Sequence, residues 1–267
     1  MRHGISLPES VANPHLIGAA IDRLPARPNV VAVWANHLTL DAKALTGIRQ
    51  CKARGIGVVI YAESNRPMTY AAILAGDHDA TIDGLARELL KFGRIIVRLD
   101  QEPNGSFGAP WTEAEGVTPE TYIAGWTYMS ERIRAIAPEA RMAFCITWRG
   151  LKHADDFARL YPGDACQVVG FDSYIKSARV RLPRIWTSAR RTIRKTTGKP
   201  IRVFEWAIEK GVPHRPRIMR STSEVKGIEA AMYFDIDLMH RGVPHRWSMG
   251  RIEPPSRLRR EFARMSA

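Results

Sequence analysis

Short apolar runs alternate with amphipathic helical stretches along this chain, and each run gives way abruptly to polar residues. The runs fall at residues 4–7, 30–34, 57–61, 95–99, 141–146, 166–171, 201–204 and 243–249. Between them the spacing predicts helices over residues 15–24, 42–54, 80–92, 182–197 and 223–240, with another starting at Pro119. Local signals agree with this reading. Asp41 can cap the second helix and Gly55 stop it, Gly93 closes the third, and Thr118, Pro119 and Glu120 supply an N-cap, a first-turn proline and a first-turn acid. Tyr122, Trp126, Met129, Ile133 and Ile136 then recur at three and four, which predicts a buried stripe rather than a row of ligand contacts.

Strands alternating with helices favour a parallel sheet, and eight such units in 267 residues suit a closed (β/α)8 TIM barrel. A doubly wound sheet would be expected to carry a glycine-rich first turn, which is missing. No glycine, serine or proline run is long enough to act as a linker, so residues 1–267 read as a single domain. With 45% hydrophobic residues that domain can bury a full-sized core.

Forty Lys and Arg against 27 Asp and Glu give a formal charge of +13, which would favour acidic partners. The basic residues are spread out, however, and the densest runs, at 179–199, 215–220 and 257–264, read as solvated helix faces. No nucleic acid partner is expected, while electrostatic association with acidic glycans stays open. Cys51, Cys145 and Cys166 are too far apart in sequence to draw a disulfide framework or a CxxC site, and read as small core residues. There is no HExxH and no phosphate loop, so no metal or other cofactor is expected. Residues 1–25 lack the pattern of a secretory signal, and no apolar run approaches the ~20 residues of a membrane helix, which predicts a chain that stays where it is made.

The stretch from Arg94 to Gly105 concentrates the polar chemistry. Arg98, Asp100, Gln101, Glu102 and Asn104 crowd the end of an apolar strand that Pro103 and Gly105 break. Taken alone, such a cluster also fits an ordinary strand end capped by surface polar groups. In a barrel every strand's C-terminal end points to one mouth, so Glu63, Glu102, Trp148, Tyr174, Glu205 and Trp247 would converge there. Glu102 and Glu205 would then stand at the ends of strands four and seven. Glycosidic cleavage with retention needs one carboxylic acid and one carboxylate about 5–5.5 Å apart. Arg98 and Tyr174 are candidates to keep the second one ionised, and Trp111, Trp148, Trp206 and Trp247 could stack on sugar faces.

These residues resemble a family, the glycoside hydrolases of family 26. Its strand-four motif, an Arg followed by His-Glu, one residue and Asn-Gly, resembles Arg98 and Gln101-Glu102-Pro103-Asn104-Gly105. Thr118 to Tyr122, Tyr161-Pro162-Gly163-Asp164, Val169 to Tyr174, and Gly198-Lys199-Pro200 followed by Glu205 resemble further family segments in the same order. The resemblance covers residues 79–247 and implies a retaining (β/α)8 hydrolase. Glu102 would be its acid/base, Glu205 its nucleophile, Tyr174 the partner of Glu205 and Trp247 the sugar platform; Arg98, Gln101, Asn104, Trp111, Trp148 and Trp206 would be further substrate contacts. Two residues depart from the family pattern: Gln101 stands where His is usual, and Trp206 follows the nucleophile. The implied substrate is a β-linked polysaccharide outside the cell, β-mannan by default and β-glucan or xylan as alternatives. A carbohydrate-binding barrel that has lost activity and a basic anionic-polymer binder are the competing readings.

Overall fold

The computed structural model describes residues 1–7, 13–24, 27–65, 68–105, 111–148, 154–175, 182–208, 225–234, 239–240 and 243–244. Eight strands run parallel and close on themselves: β1 (Arg2–Ser6), β2 (Val30–Asn36), β3 (Gly57–Glu63), β4 (Ile96–Leu99), β5 (Arg141–Thr147), β6 (Val168–Ile175), β7 (Ile201–Ile208) and β8 (Ala230–Phe234). β1 pairs with both β2 and β8, which seals the barrel and leaves no sheet edge. The described helices are α1 (Ile17–Asp22), α2 (Ala42–Ala53), α3 (Tyr70–Leu74), α4 (Asp79–Leu90), α5 (Pro119–Ile136), α6 (Ala154–Leu160) and α7 (Leu182–Thr196). This is a (β/α)8 barrel.

The capping chemistry is visible in the structure. The Asp41 carboxylate accepts the Ala44 N–H at 2.7 Å, and the Thr118 hydroxyl accepts that of Thr121 at 3.3 Å, so each helix begins where an orphan N–H gains a partner. On α5, Tyr122, Trp126, Met129 and Ile133 are buried as their spacing predicts, and Ile136 is half-buried. All three cysteines are buried and free.

One strand was misplaced by the pattern. β8 occupies residues assigned above to a helix over 223–240. Ala230, Ala231, Met232 and Tyr233 are all buried, because a barrel strand is covered by the interior on one side and helices on the other. No polar alternation marks such a strand, and its alanines and methionine favour a helix on propensity alone. Val243 and Pro244, expected in the closing strand, instead pair antiparallel with Met239 and His240 in a separate two-residue ladder. Trp247 lies outside the described residues.

Side chains sort into two cores. Alternate residues including Val30, Ala32, Val59, Tyr61, Ile96, Ala143, Cys145, Val168, Phe204 and Met232 fill the barrel. The larger core lies between the strands and the helices. Gly170 belongs to the inner set for a steric reason: a Cβ there would lie 2.4 Å from the Arg202 carbonyl oxygen and 2.5 Å from the Phe204 ring.

Candidate active site

Arg98 follows Ile96 by two positions on β4, so it turns inward at the upper layer of the barrel. It is fully buried, with its guanidinium carbon 4.4 Å from the centroid of the Tyr61 ring and 5.6 Å from that of Phe204. A guanidinium so placed needs acceptors. Its Nη1 donates to Glu205 Oε1 at 2.6 Å, and its Nη2 donates to Asp172 Oδ2. Burial opposes the charge of Arg98, and Asp172 and Glu205 outweigh it and hold the group protonated.

A bulge brings Glu205 to that partner. Along β6 and β7 the register runs Phe171 opposite Val203 and then Asp172 opposite Glu205, so Phe204 is the extra residue. Strict alternation after inward Phe204 would turn Glu205 outward and Trp206 into the mouth. The bulge inverts this, as bulges beside functional sites commonly do. Glu205 reaches Arg98 with one oxygen and accepts the Tyr174 hydroxyl with the other, Oε2. Trp206 is sent outward between the strands and α7, edge-on to Trp186 at 5.5 Å and to Tyr233 at 4.9 Å.

Glu102 sits just beyond β4 on a backbone bent twice into the left-handed region, at φ 38° for Asp100 and 52° for Glu102. Aromatic side chains hold this bend. The Leu99, Asp100 and Gln101 carbonyls accept, in turn, the Trp126 indole N–H at 3.0 Å, the Tyr122 hydroxyl at 3.0 Å and the Trp111 indole N–H at 2.7 Å. The Glu102 N–H donates to the Cys145 carbonyl at 2.8 Å, and its own carbonyl receives the Gly105 N–H at 2.7 Å across a turn with Pro103 second. Asp100 is buried and accepts from the Ser64 N–H, the Ser64 hydroxyl and the Tyr70 hydroxyl. Burial pushes its carboxyl up to about 7 against those three donors.

Among the described residues, the carboxyl groups of Glu63, Glu102, Asp172 and Glu205 lie close enough to act on one another. Asp172 lies against Glu102 as well as holding Arg98. Burial pushes Asp172 well above the usual carboxylate range, Arg98 pulls it down, and Glu205 and Glu102 push it up again. Glu63, the last residue of β3, accepts the Gln101 amide at 2.7 Å, and burial raises its carboxyl too.

Of the residues singled out in the sequence, Arg98, Gln101, Glu102, Tyr174 and Glu205 therefore lie within one hydrogen-bonded neighbourhood, with Asp172 and Glu63 joining them. Asn104 serves as a clamp between loops: its amide donates to the Thr147 carbonyl at 3.1 Å and to Asp156 at 3.1 Å, and its oxygen accepts the Thr147 N–H at 3.0 Å. Trp111, Trp148 and Trp206 are each 1% exposed, which leaves no ring face for a sugar. Among the described residues Trp34 is the single tryptophan not fully buried. It stands two residues beyond inward Ala32, edge-on to Tyr61 at 4.6 Å, and its signal was the polar Asn36-His37 that follows, the same transition that marked Glu102. Asp172 was legible as the start of Asp-Ser-Tyr but was not singled out. Among the described residues no group of three or more His, Cys, Asp and Glu side chains could hold a metal ion, and no helix is long and apolar enough to cross a membrane.

Comparison of the whole fold with solved structures finds family 26 mannanases. The β-mannanase BoMan26A of Bacteroides ovatus superposes with a TM-score of 0.72 at 16% identity, covering 100% of this chain and 88% of that one. A double mutant of the Cellulomonas fimi endo-β-1,4-mannanase gives 0.75 at 16% identity, covering 100% and 70%. The fold is GH26-like. A GH128 endo-β-1,3-glucanase of Sorangium cellulosum also superposes, with a TM-score of 0.65 at 14% identity over 98% of both chains. No protein-family model matches the chain, and no curated protein matches it.

Proposed function

We propose that this protein is a retaining, endo-acting glycoside hydrolase of β-linked polysaccharides, with Glu205 as nucleophile and Glu102 as acid/base. The observation that carries the reading is the fixation of Glu205 by both oxygens, one on a buried arginine and one on a phenol hydroxyl. Those two donors leave the carboxylate one geometry. Glu102, as the acid, delivers a proton to the glycosidic oxygen as the bond to the anomeric carbon breaks. Glu205 takes up the anomeric carbon. Glu102, now a base, then draws a proton from water, which displaces the sugar from Glu205 and restores both carboxyls.

β-Mannan is the first substrate, on the strength of the mannanases that share the fold. A β-1,3-glucan is the second, favoured by the Sorangium glucanase's cover of both chains and by Gln101, a neutral reader of hydroxyls where the family resemblance expects histidine. The test is reducing-sugar release from β-mannan, β-1,3-glucan, xylan and an acidic polysaccharide by wild type, Glu205→Ala and Glu102→Ala. Release by wild type that both variants abolish is expected. Binding of one of these polymers without release by wild type would instead assign the barrel to carbohydrate binding alone.

A further inference from the structure

The opposite end of the barrel carries a second concentration of charge that the glycosidase reading leaves unused. TIM-barrel interiors are filled in layers by apolar side chains. Here the lowest layer is arginine. Arg2, Arg141 and Arg202 stand two residues before Gly4, Ala143 and Phe204, and Ala143 and Phe204 belong to the inner core. An added Cβ on Gly4 would meet inward Met232 and Val30, so β1 keeps the same alternation.

These three arginines line one cavity of about 400 Å³ with Lys52, Arg94 and a floor that includes Val30, Ile95 and Ile96. Small-molecule sites span about 300–1,000 Å³, so the cavity has the size of one. Five cations face it, and among the described lining residues Glu229 is the single acid. That acid is already engaged: its Oε2 accepts from Arg202 Nε at 3.1 Å and from Nη2 at 3.0 Å. Lys52 donates to the Phe92 and Arg94 carbonyls at 3.3 Å each, and Arg141 reaches the Gln167 carbonyl, so neither of those contacts supplies a negative charge. Arg202 is 7% exposed, and its burial, with Arg141 and Arg2 close by, lowers its proton affinity despite Glu229.

We propose that this cavity is a binding site for a small multivalent oxyanion of the phosphate class, at the end of the barrel away from the candidate catalytic mouth. Guanidinium forks converging from β1, β5 and β7 match the several oxygens of such an anion, and its charge would relieve the repulsion among the five cations.

The test uses pyrophosphate as the probe, with calorimetry and thermal unfolding at constant ionic strength set with chloride. Binding at one site and a rise of about 3 °C or more in Tm over the chloride control are expected for wild type. Arg94→Gln changes an exposed side chain and Arg141→Gln a half-buried one, and each should weaken binding by about tenfold. Glu205→Ala should bind as wild type does, which separates this site from the mouth. Absence of binding in wild type, or unchanged affinity in both arginine variants, as binding elsewhere on this basic chain would give, overturns the proposal. So does binding of single-stranded DNA without binding of pyrophosphate, which would mark a polyanion surface instead.

Discussion

Arg98 and Glu205 are 107 residues apart in sequence, yet Arg98 Nη1 donates to Glu205 Oε1 at 2.6 Å in the interior of the barrel. The same guanidinium holds Asp172, so a single cation keeps two carboxyls in place. Removing one member of a buried charge cluster costs about 3–5 kcal/mol, because the remainder is left uncompensated. Arg98→Met is expected to lower the urea unfolding free energy by about that amount. Arg98→Lys keeps the charge but loses the fork, and should lower kcat by roughly 10²-fold with little change in KM, since the loss falls on the geometry of Glu205.

The bulge at Phe204 separates two tryptophans by role. Trp206, packed on Trp186 and Tyr233, is core, so Trp206→Ala should cost about 3–5 kcal/mol of stability. Trp34, half-buried against Tyr61, is among the described residues the one tryptophan that is not fully buried, and Trp34→Ala should weaken polysaccharide binding by about tenfold. Urea titration and binding isotherms on both variants check the pair. A large affinity loss in the Trp34 variant with a normal unfolding midpoint is the expected outcome.

The left-handed bend that presents Glu102 depends on donors from α5. Trp126→Phe keeps most of the ring volume and leaves the Leu99 carbonyl buried without the indole N–H. A buried acceptor so deprived costs about 1–3 kcal/mol. The variant should unfold at lower urea by that amount. Its kcat should also fall, since Glu102 lies three residues beyond Leu99.

His3 on β1 is 4% exposed, and burial pushes its imidazole down to about 4 from 6.5. The unfolded chain therefore binds the proton between pH 6.5 and 4 while the folded chain does not, so stability falls as pH drops through that window. The shift corresponds to about 3 kcal/mol. Asp100, pushed up to about 7, acts with the opposite sign, because its folded form holds a proton as pH rises from about 4 to 7. Comparison with His3→Leu isolates the histidine: from pH 7 to pH 4 the wild type should lose about 3 kcal/mol relative to the variant. Chemical unfolding at the two pH values reads this directly.

What the sequence by itself determined is whatever local chemistry records. The caps at Asp41 and Thr118, the α5 stripe and seven of the eight barrel strands follow from period, turn residues and N-cap side chains, all of which act within a few positions. The placement of Glu102 just beyond β4 was legible for the same reason, since an apolar run stops where polar groups must reach water or one another. Glu205, expected at the end of its strand, lies instead within β7, which continues to Ile208. β8 escaped because its residues are buried on both faces and so carry no alternation. Only the tertiary structure decided that Phe204 bulges, turning Glu205 inward and Trp206 out, since a bulge is a register between two strands and has no signal in one of them. It likewise decided that Asn104 clamps Thr147, that Asp172 shares Arg98 with Glu205, and that arginines close the far end of the barrel. Each of these is a contact between residues distant in the chain, made possible by barrel closure, and closure is a property of all eight strands together.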